Sequence, residues 1–497
     1  MSRFEKADQA IPYTINGKHV TLTAVQLITN TDSNDTLVKK TERLVFRAQV
    51  APVEGHIFVL TDQAQGRSRI WIVPAPDFVL PTAKIVANKF SIDTGGYPVY
   101  TADCPTDEVE RTCRAWYREH YHPKTLHTMS NTWGDRNGRT RVCDEFIRRE
   151  IDSAADLGLD VVQIDDGWQR GVPAPMDADG NRHFDADFWE VKQEVFPQGL
   201  APLAAYAAEH GVALGLWFAP YSGGLFEYFE RDLSFLQKAY HDWGVRYFKL
   251  DMIHLPTRAH CDRMTTLLEE IRLQDDASVE LDATADNRLG YLAAAPFGTI
   301  FVENRYTAWG NYYPHRTLRN EWMLSRYIPT AKLQFELVNP ALCHEKYSDT
   351  DPYRHALYDA DYLFATVMLS NPLFWMETQF LSEKSREQLR EIIAKWKCYR
   401  EELTLADVSP IGEEPCGASL TGFLAETSDA YHILLFREVT ERDEMTLALP
   451  SSVKGVEIIA QNAKTKVARS GNTLTATISL PRAYAWLKAE KEQDQTI

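Results

Sequence analysis

The chain has no run of about 18 consecutive apolar residues, so no membrane-spanning helix is expected. It also lacks any Cys-x-x-Cys pair. Its seven cysteines are scattered at 104, 113, 143, 261, 343, 398 and 416. An odd, dispersed set argues against a disulfide framework or a zinc site and suits reduced thiols in the cytoplasm. Behind Met1-Ser2-Arg3-Phe4-Glu5-Lys6 no apolar segment follows, so a signal peptide is not expected. Positive charge is in deficit: 53 Lys and Arg stand against 70 Asp and Glu, a net charge of -17. That balance excludes a nucleic-acid backbone and an anionic membrane as natural partners. Repeats, low-complexity tracts and polar linkers are missing too, so the parts of the chain are expected to pack closely.

What is present is length and aromatic side chains. The 497 residues exceed one simple core and predict two or three domains. The 12 Trp, 22 Tyr and 22 Phe fit either a large core or rings that stack on sugar faces. Residues 1–106 alternate apolar and polar, as in His19–Thr23, Leu44–Val50, His56–Leu60 and Arg69–Val73, which predicts an antiparallel, sandwich-like β domain. Residues 107–403 alternate short apolar runs with helical patterns, which predicts a parallel sheet of βα units. Eight candidate strands lie there: Leu126–Asn131, Asp160–Ile164, Val212–Phe218, Val245–Leu250, Ser278–Leu281, Thr299–Val302, Leu333–Leu337 and Ala365–Leu369. Between them, Phe146, Ile147, Ile151, Ala154 and Leu157 stripe one helix. Leu389, Ile392, Ile393, Trp396 and Tyr399 stripe another behind an N-cap at Ser382. The count is that of an α/β, (β/α)8 TIM barrel. Residues 404–497 return to strand alternation and predict a C-terminal antiparallel β domain.

Chemistry in such a barrel sits at the C-terminal tips of the strands. The fourth candidate strand ends Lys249-Leu250-Asp251. A cation near Asp251 favours its charged form, and a rigid ionised carboxylate can attack an anomeric carbon. A helix cap or an ion pair with Lys249 is the plainer reading. The second strand ends Asp165-Asp166-Gly167-Trp168, two carboxylates for sugar hydroxyls with a ring beside them, or else an ordinary turn. Trp133 and Trp217 also lie at strand ends, as stacking rings or as barrel packing. Further tips bring Glu280, Asp282 and Asp286, then Glu303, Asn304 and Arg305, then Glu336, Asn339 and Asn371. No His or third carboxylate stands near Asp165 and Asp166 at metal-ligand spacing, so neither a metal nor a cofactor is expected.

The series Asn131-Thr132-Trp133, Ile164-Asp165-Asp166-Gly167-Trp168, Gly215-Leu216-Trp217-Phe218, Lys249-Leu250-Asp251-Met252 and Met368–Leu373 resembles the melibiase-type α-galactosidases of glycoside hydrolase family 36, in a clan with families 27 and 31. The resemblance implies a β-sandwich, a (β/α)8 barrel and a C-terminal β domain. It also implies retaining hydrolysis of α-glycosides, with a small carbohydrate as partner and homo-oligomerisation left open. By the same resemblance Asp251 is the nucleophile, Lys249 meets hydroxyls of the −1 sugar, and Asp165 and Asp166 hold its O4 and O6. Three departures stand out. The third strand continues Ala219-Pro220-Tyr221 where the family has Glu-Pro-Glu. The Cys- and Gly-rich loop that meets O2 is replaced by Leu281–Asn287, with Asp282 inside it. The sixth strand lacks its acid/base Asp. Glu303 can serve instead, or Ala308 marks the missing acid, or the chain binds sugars without cleaving them; beside the exo-α-galactosidase reading, the changed third- and fifth-strand loops leave open another specificity, such as α-glucoside, or transglycosylation.

Overall fold

The computed structural model describes residues 3–492 except 10–11, 17–18, 30–35, 48, 135–137, 173–183, 185–186, 273–275, 286 and 304. At its centre eight parallel strands close into a barrel: Met129–Asn131, Val161–Ile164, Ala213–Phe218, Tyr247–Leu250, Ser278–Asp282, Thr299–Phe301, Leu333–Leu337 and Asn371–Phe374. The first and last are joined through Met129 opposite Leu373 and Ser130 opposite Phe374. The (β/α)8 expectation is therefore met.

The eighth strand is not where the sequence pattern put it. Ala360–Ala365 is helix, and the strand begins only at Asn371. The run from Ala365 to Leu369 is wholly buried. A short, fully buried apolar run reads alike as strand or helix, because neither period shows in it. The helix Asp144–Leu157 buries the five stripe residues predicted for it. The helix Glu383–Lys397 opens with Ser382 accepting a hydrogen bond from Ser385 N, as its cap predicts.

Before the barrel, two antiparallel sheets of six and four strands form a sandwich. Strict alternation lets its middle strands serve two cores. Phe58, Leu60 and Trp71 fill the sandwich, while Ile57, Val59, Ile70 and Ile72 face the barrel's helical layer around Trp116 and Tyr117. Leu44–Val50 is not one strand. Strands end at Leu44 and restart at Val50, and Arg47 between them has φ +50°. Leu44 and Phe46 are exposed there, so the alternation had no face to bury; Ala48 lies outside the described residues. After the barrel, sheets of five and three strands pack together. Leu434, Phe436 and Trp486 face the barrel, and Ile433, Leu435 and Leu487 face the inner core. Arg114 ties the barrel to this last part through Asp407, at 2.7 and 3.1 Å. All seven cysteines are free thiols. Among the described residues, no helix is long and apolar enough to cross a membrane.

Candidate active site

Period-2 alternation sends Gln163 and Asp165, Lys249 and Asp251, and Glu280 and Asp282 toward the barrel axis. Lower in the barrel Gln163 spans the interior, accepting from Asn131 Nδ2 at 2.6 Å and donating to Glu280. Gly215 leaves room beside it, since a Cβ there would lie 3.3 Å from the Gln163 side chain and 3.2 Å from Tyr247. Burial pushes Glu280 up to about 7.

Lys249 is the hub of the next layer. Its Nζ donates to Asp165 Oδ2 at 3.0 Å and lies over the rings of Phe301 and Trp375 at 5.2 and 5.0 Å. Burial opposes its charge, but the carboxylates of Asp165, Asp251 and Asp282 outweigh burial and raise its affinity for the proton. Asp165 also accepts from Asn131 Nδ2 at 2.8 Å, and its other oxygen takes the N–H of Asp166 at 2.8 Å. Asp166 is held by Gln169 Nε2 at 2.6 Å.

Asp251 caps the fourth strand with 22% of its side chain open. Trp217 Nε1 donates to Oδ2 at 3.0 Å, Met252 N donates to Oδ1, and Arg288 Nη2 lies 3.8 Å from Oδ1. Burial alone would raise Asp251. Lys249, Arg288 and these two hydrogen bonds overcome burial and hold the carboxyl below its ordinary value. Met252 adopts φ +55°, a left-handed conformation costly for a non-glycine residue, directly after the carboxylate. Asp282 sits on the next strand tip, its Oδ1 accepting from Thr284 N and Oγ1 at 2.9 and 2.7 Å.

The structure brings together Asp165, Trp217, Lys249, Asp251 and Asp282, and Asp166 adjoins them through its backbone N–H on Asp165 while its carboxylate faces Gln169. It separates others. Trp168 is fully buried behind the strands, with its ring 5.8 Å from Trp189 and 5.5 Å from Phe235, and its Nε1 donates to Trp217 O. It is core, and the expectation of a sugar-stacking ring at 168 is corrected. The turn at Gly167, φ +133°, carries the chain away from the axis before the tryptophan is reached. Trp133 is half-buried beside Trp375 and Tyr306.

Glu303 is wholly buried and points to the outer helix Pro314–Leu324, where Thr317 Oγ1 donates at 2.7 Å and Asn320 donates as well. Arg305 is buried with it, Nε 3.6 Å from Oε1, and its backbone N–H goes to Glu336 Oε1 at 2.7 Å. Glu303 as an acid at the mouth is thus corrected, because its strand ends at Phe301 and alternation stops. Ala308 lies in the helical turn Thr307–Trp309 and offers no acid. Asp286 and Asn304 lie outside the described residues. Among the described residues, no group of three or more His, Cys, Asp or Glu is placed to hold a metal.

Sequence reasoning missed Arg288. It is one cation in a loop, and nothing local marks it. The N-terminal domain anchors that loop: Asp77 accepts from Arg288 N at 2.9 Å, and Tyr291 OH reaches Ile28 O at 3.2 Å.

Fold and site together define a (β/α)8 barrel, flanked by β domains, with carboxylates gathered round a lysine at the C-terminal ends of its strands. Over part of its length the chain is similar to the melibiases. Residues 107–260 match the Melibiase family model. Alpha-galactosidase Mel36A of Lactobacillus acidophilus is 31% identical over 111 residues, which are 22% of this chain and 13% of that protein. Alpha-galactosidase AgaA of Geobacillus stearothermophilus is 31% identical over 110 residues, again 22% and 13%. The alignments thus span 13% of the length of these curated relatives. The galactosidase domain of the α-galactosidase–sucrose kinase AgaSK shares the fold with TM-score 0.71, at 12% identity, covering 97% of this chain and 75% of that one. A variant of AgaA in complex with 1-deoxygalactonojirimycin gives TM-score 0.67 at 12% identity, covering 97% and 76%.

Proposed function

We propose that this chain is a retaining exo-α-glycosidase that releases terminal α-linked galactose from small oligosaccharides or glycosides in the cytoplasm. Asp251 attacks the anomeric carbon, and a glycosyl ester forms and is then hydrolysed. The observation that carries the reading is Asp251 itself: the most open carboxylate of the pocket, oriented by Trp217 and kept ionised by Lys249 and Arg288. Lys249, Asp165 and Asp166 form a charged edge for the hydroxyls of the −1 sugar. The named activities of the relatives support galactose as that sugar.

The direct test uses α-galactosyl fluoride and aryl α-galactosides. Asp251→Asn should lose turnover of both. Asp251→Gly with azide should yield the inverted β-galactosyl azide. Undiminished activity in Asp251→Asn sinks the assignment. A second reading, sugar binding without cleavage, is favoured by the alanine at 308 and the turned-away Glu303. Calorimetric binding of galactose by a protein inert toward the fluoride would establish it.

A further inference from the structure

We propose that Asp282 is the proton donor and acceptor of this site, in place of any residue on the sixth strand. The inference rests on the retaining α-glycosidase reading above, and it gives Asp282 a chemical role beyond contact with a sugar hydroxyl.

The barrel register pairs Lys249 with Glu280 and Leu250 with Leu281. One residue further along both strands stand Asp251 and Asp282, on neighbouring tips of one layer. Adjacent strands run about 4.8 Å apart. Inward carboxyls at matched positions therefore suit the roughly 5–5.5 Å spacing of a retaining pair, not the roughly 6.5–9.5 Å of an inverting one. Thr284 occupies only Oδ1 of Asp282. Oδ2 has no hydrogen bond among the described residues and is the oxygen available to carry a proton.

The charged groups facing Asp282 are Asp251 and Lys249 from the fourth strand and Arg288 from the loop after the fifth. The sixth strand sets Phe301 beside it. Two neighbouring buried carboxyls do not both ionise readily, and the one gripped by cations keeps the charge. Asp251 is that one. Burial and the Asp251 charge push Asp282 up to about 6. Carboxyls whose surroundings drive their proton affinities apart in this way divide into acid and nucleophile.

In the first step an Asp251 oxygen bonds to C1, the C1–O glycosidic bond breaks, and the leaving oxygen takes both its electron pair and the Asp282 proton. The alcohol departs, leaving a galactosyl ester and an Asp282 carboxylate. In the second step water bonds to C1, its proton passes to Asp282, and the C1–Asp251 bond breaks to return the carboxylate. Both groups end as they began.

Asp282→Asn and Asp282→Ala separate the possibilities on three substrates: α-galactosyl fluoride, a dinitrophenyl α-galactoside and an alkyl α-galactoside. Loss of the acid should cost about 10²–10⁴-fold in kcat/KM on the alkyl galactoside, which needs a proton, and less than about tenfold on the fluoride. The fall of wild-type kcat/KM above about pH 6 should disappear in Asp282→Asn. Azide should accelerate Asp282→Ala and give the retained α-galactosyl azide, opposite in configuration to the product of Asp251→Gly. An equal loss on all three substrates, with the alkaline limb intact, would overturn the proposal and make Asp282 a hydroxyl ligand. Circular dichroism of both variants guards against misfolding, and a folded Asp282→Ala alone suffices for the azide test. A wild-type protein inert toward the fluoride overturns the glycosidase reading itself, a result distinct from any Asp282 outcome.

Discussion

Asp251 and Glu303 are both carboxylates just past the end of a barrel strand, yet they differ in every other respect. Asp251 follows a strand that keeps its alternation to the last residue, faces the axis, and meets Trp217, Lys249 and Arg288. Glu303 follows a strand that stops two residues earlier, turns outward and is absorbed by Thr317 and Asn320. A strand-tip carboxylate is therefore not a functional group by position. The partners it faces decide whether it binds helix or substrate, and the last ladder residue decides which way it faces.

Asp251→Asn should show the largest effect, a fall in kcat on the order of 10⁴-fold or more on aryl galactosides, read by steady-state kinetics. Lys249→Met should come next. It leaves buried Asp165 without its ammonium, so denaturant unfolding should show a loss of about 3–5 kcal/mol. Asp251 also loses the stronger of its two cations, so its proton affinity rises and the acid limb of kcat/KM should move to higher pH. An unmoved acid limb would dissociate Lys249 from Asp251.

Glu303→Gln should act on stability alone. Its new amide would face the Asn320 donor, at a cost of about 1–3 kcal/mol, while kcat/KM should stay within about threefold. A collapse of turnover confined to poor leaving groups would break the contrast and return Glu303 to the chemistry. Ala308→Asp should do least. With the proton supplied from the fifth strand, aryl galactoside turnover should change by less than about threefold, and a large gain would mark 308 as a vacated acid position.

Much of the architecture was legible along the chain. The helix Glu383–Lys397 could be read because its cap and its stripe are local. Lys249, Asp251, Asp165 and Asp166 could be read because their strands keep period 2 up to the tip. The eighth strand was misplaced because the buried run from Ala365 to Leu369 carries no period. Trp168 was misread because one turn at Gly167 reverses which side of the barrel a ring reaches.

From its sequence alone this protein has a (β/α)8 barrel between β domains, and a lysine and carboxylates on the tips of the second and fourth strands. Those features follow from local periodicity, in which each side chain's direction is set by its immediate neighbours. Only the tertiary structure decided that Glu303 belongs to a helix, that Arg288 comes to Asp251 on a loop held by Asp77, and that Asp282 stands beside Asp251. Each is a meeting of residues distant in the chain, and it depends on barrel closure and strand register, which no single segment encodes.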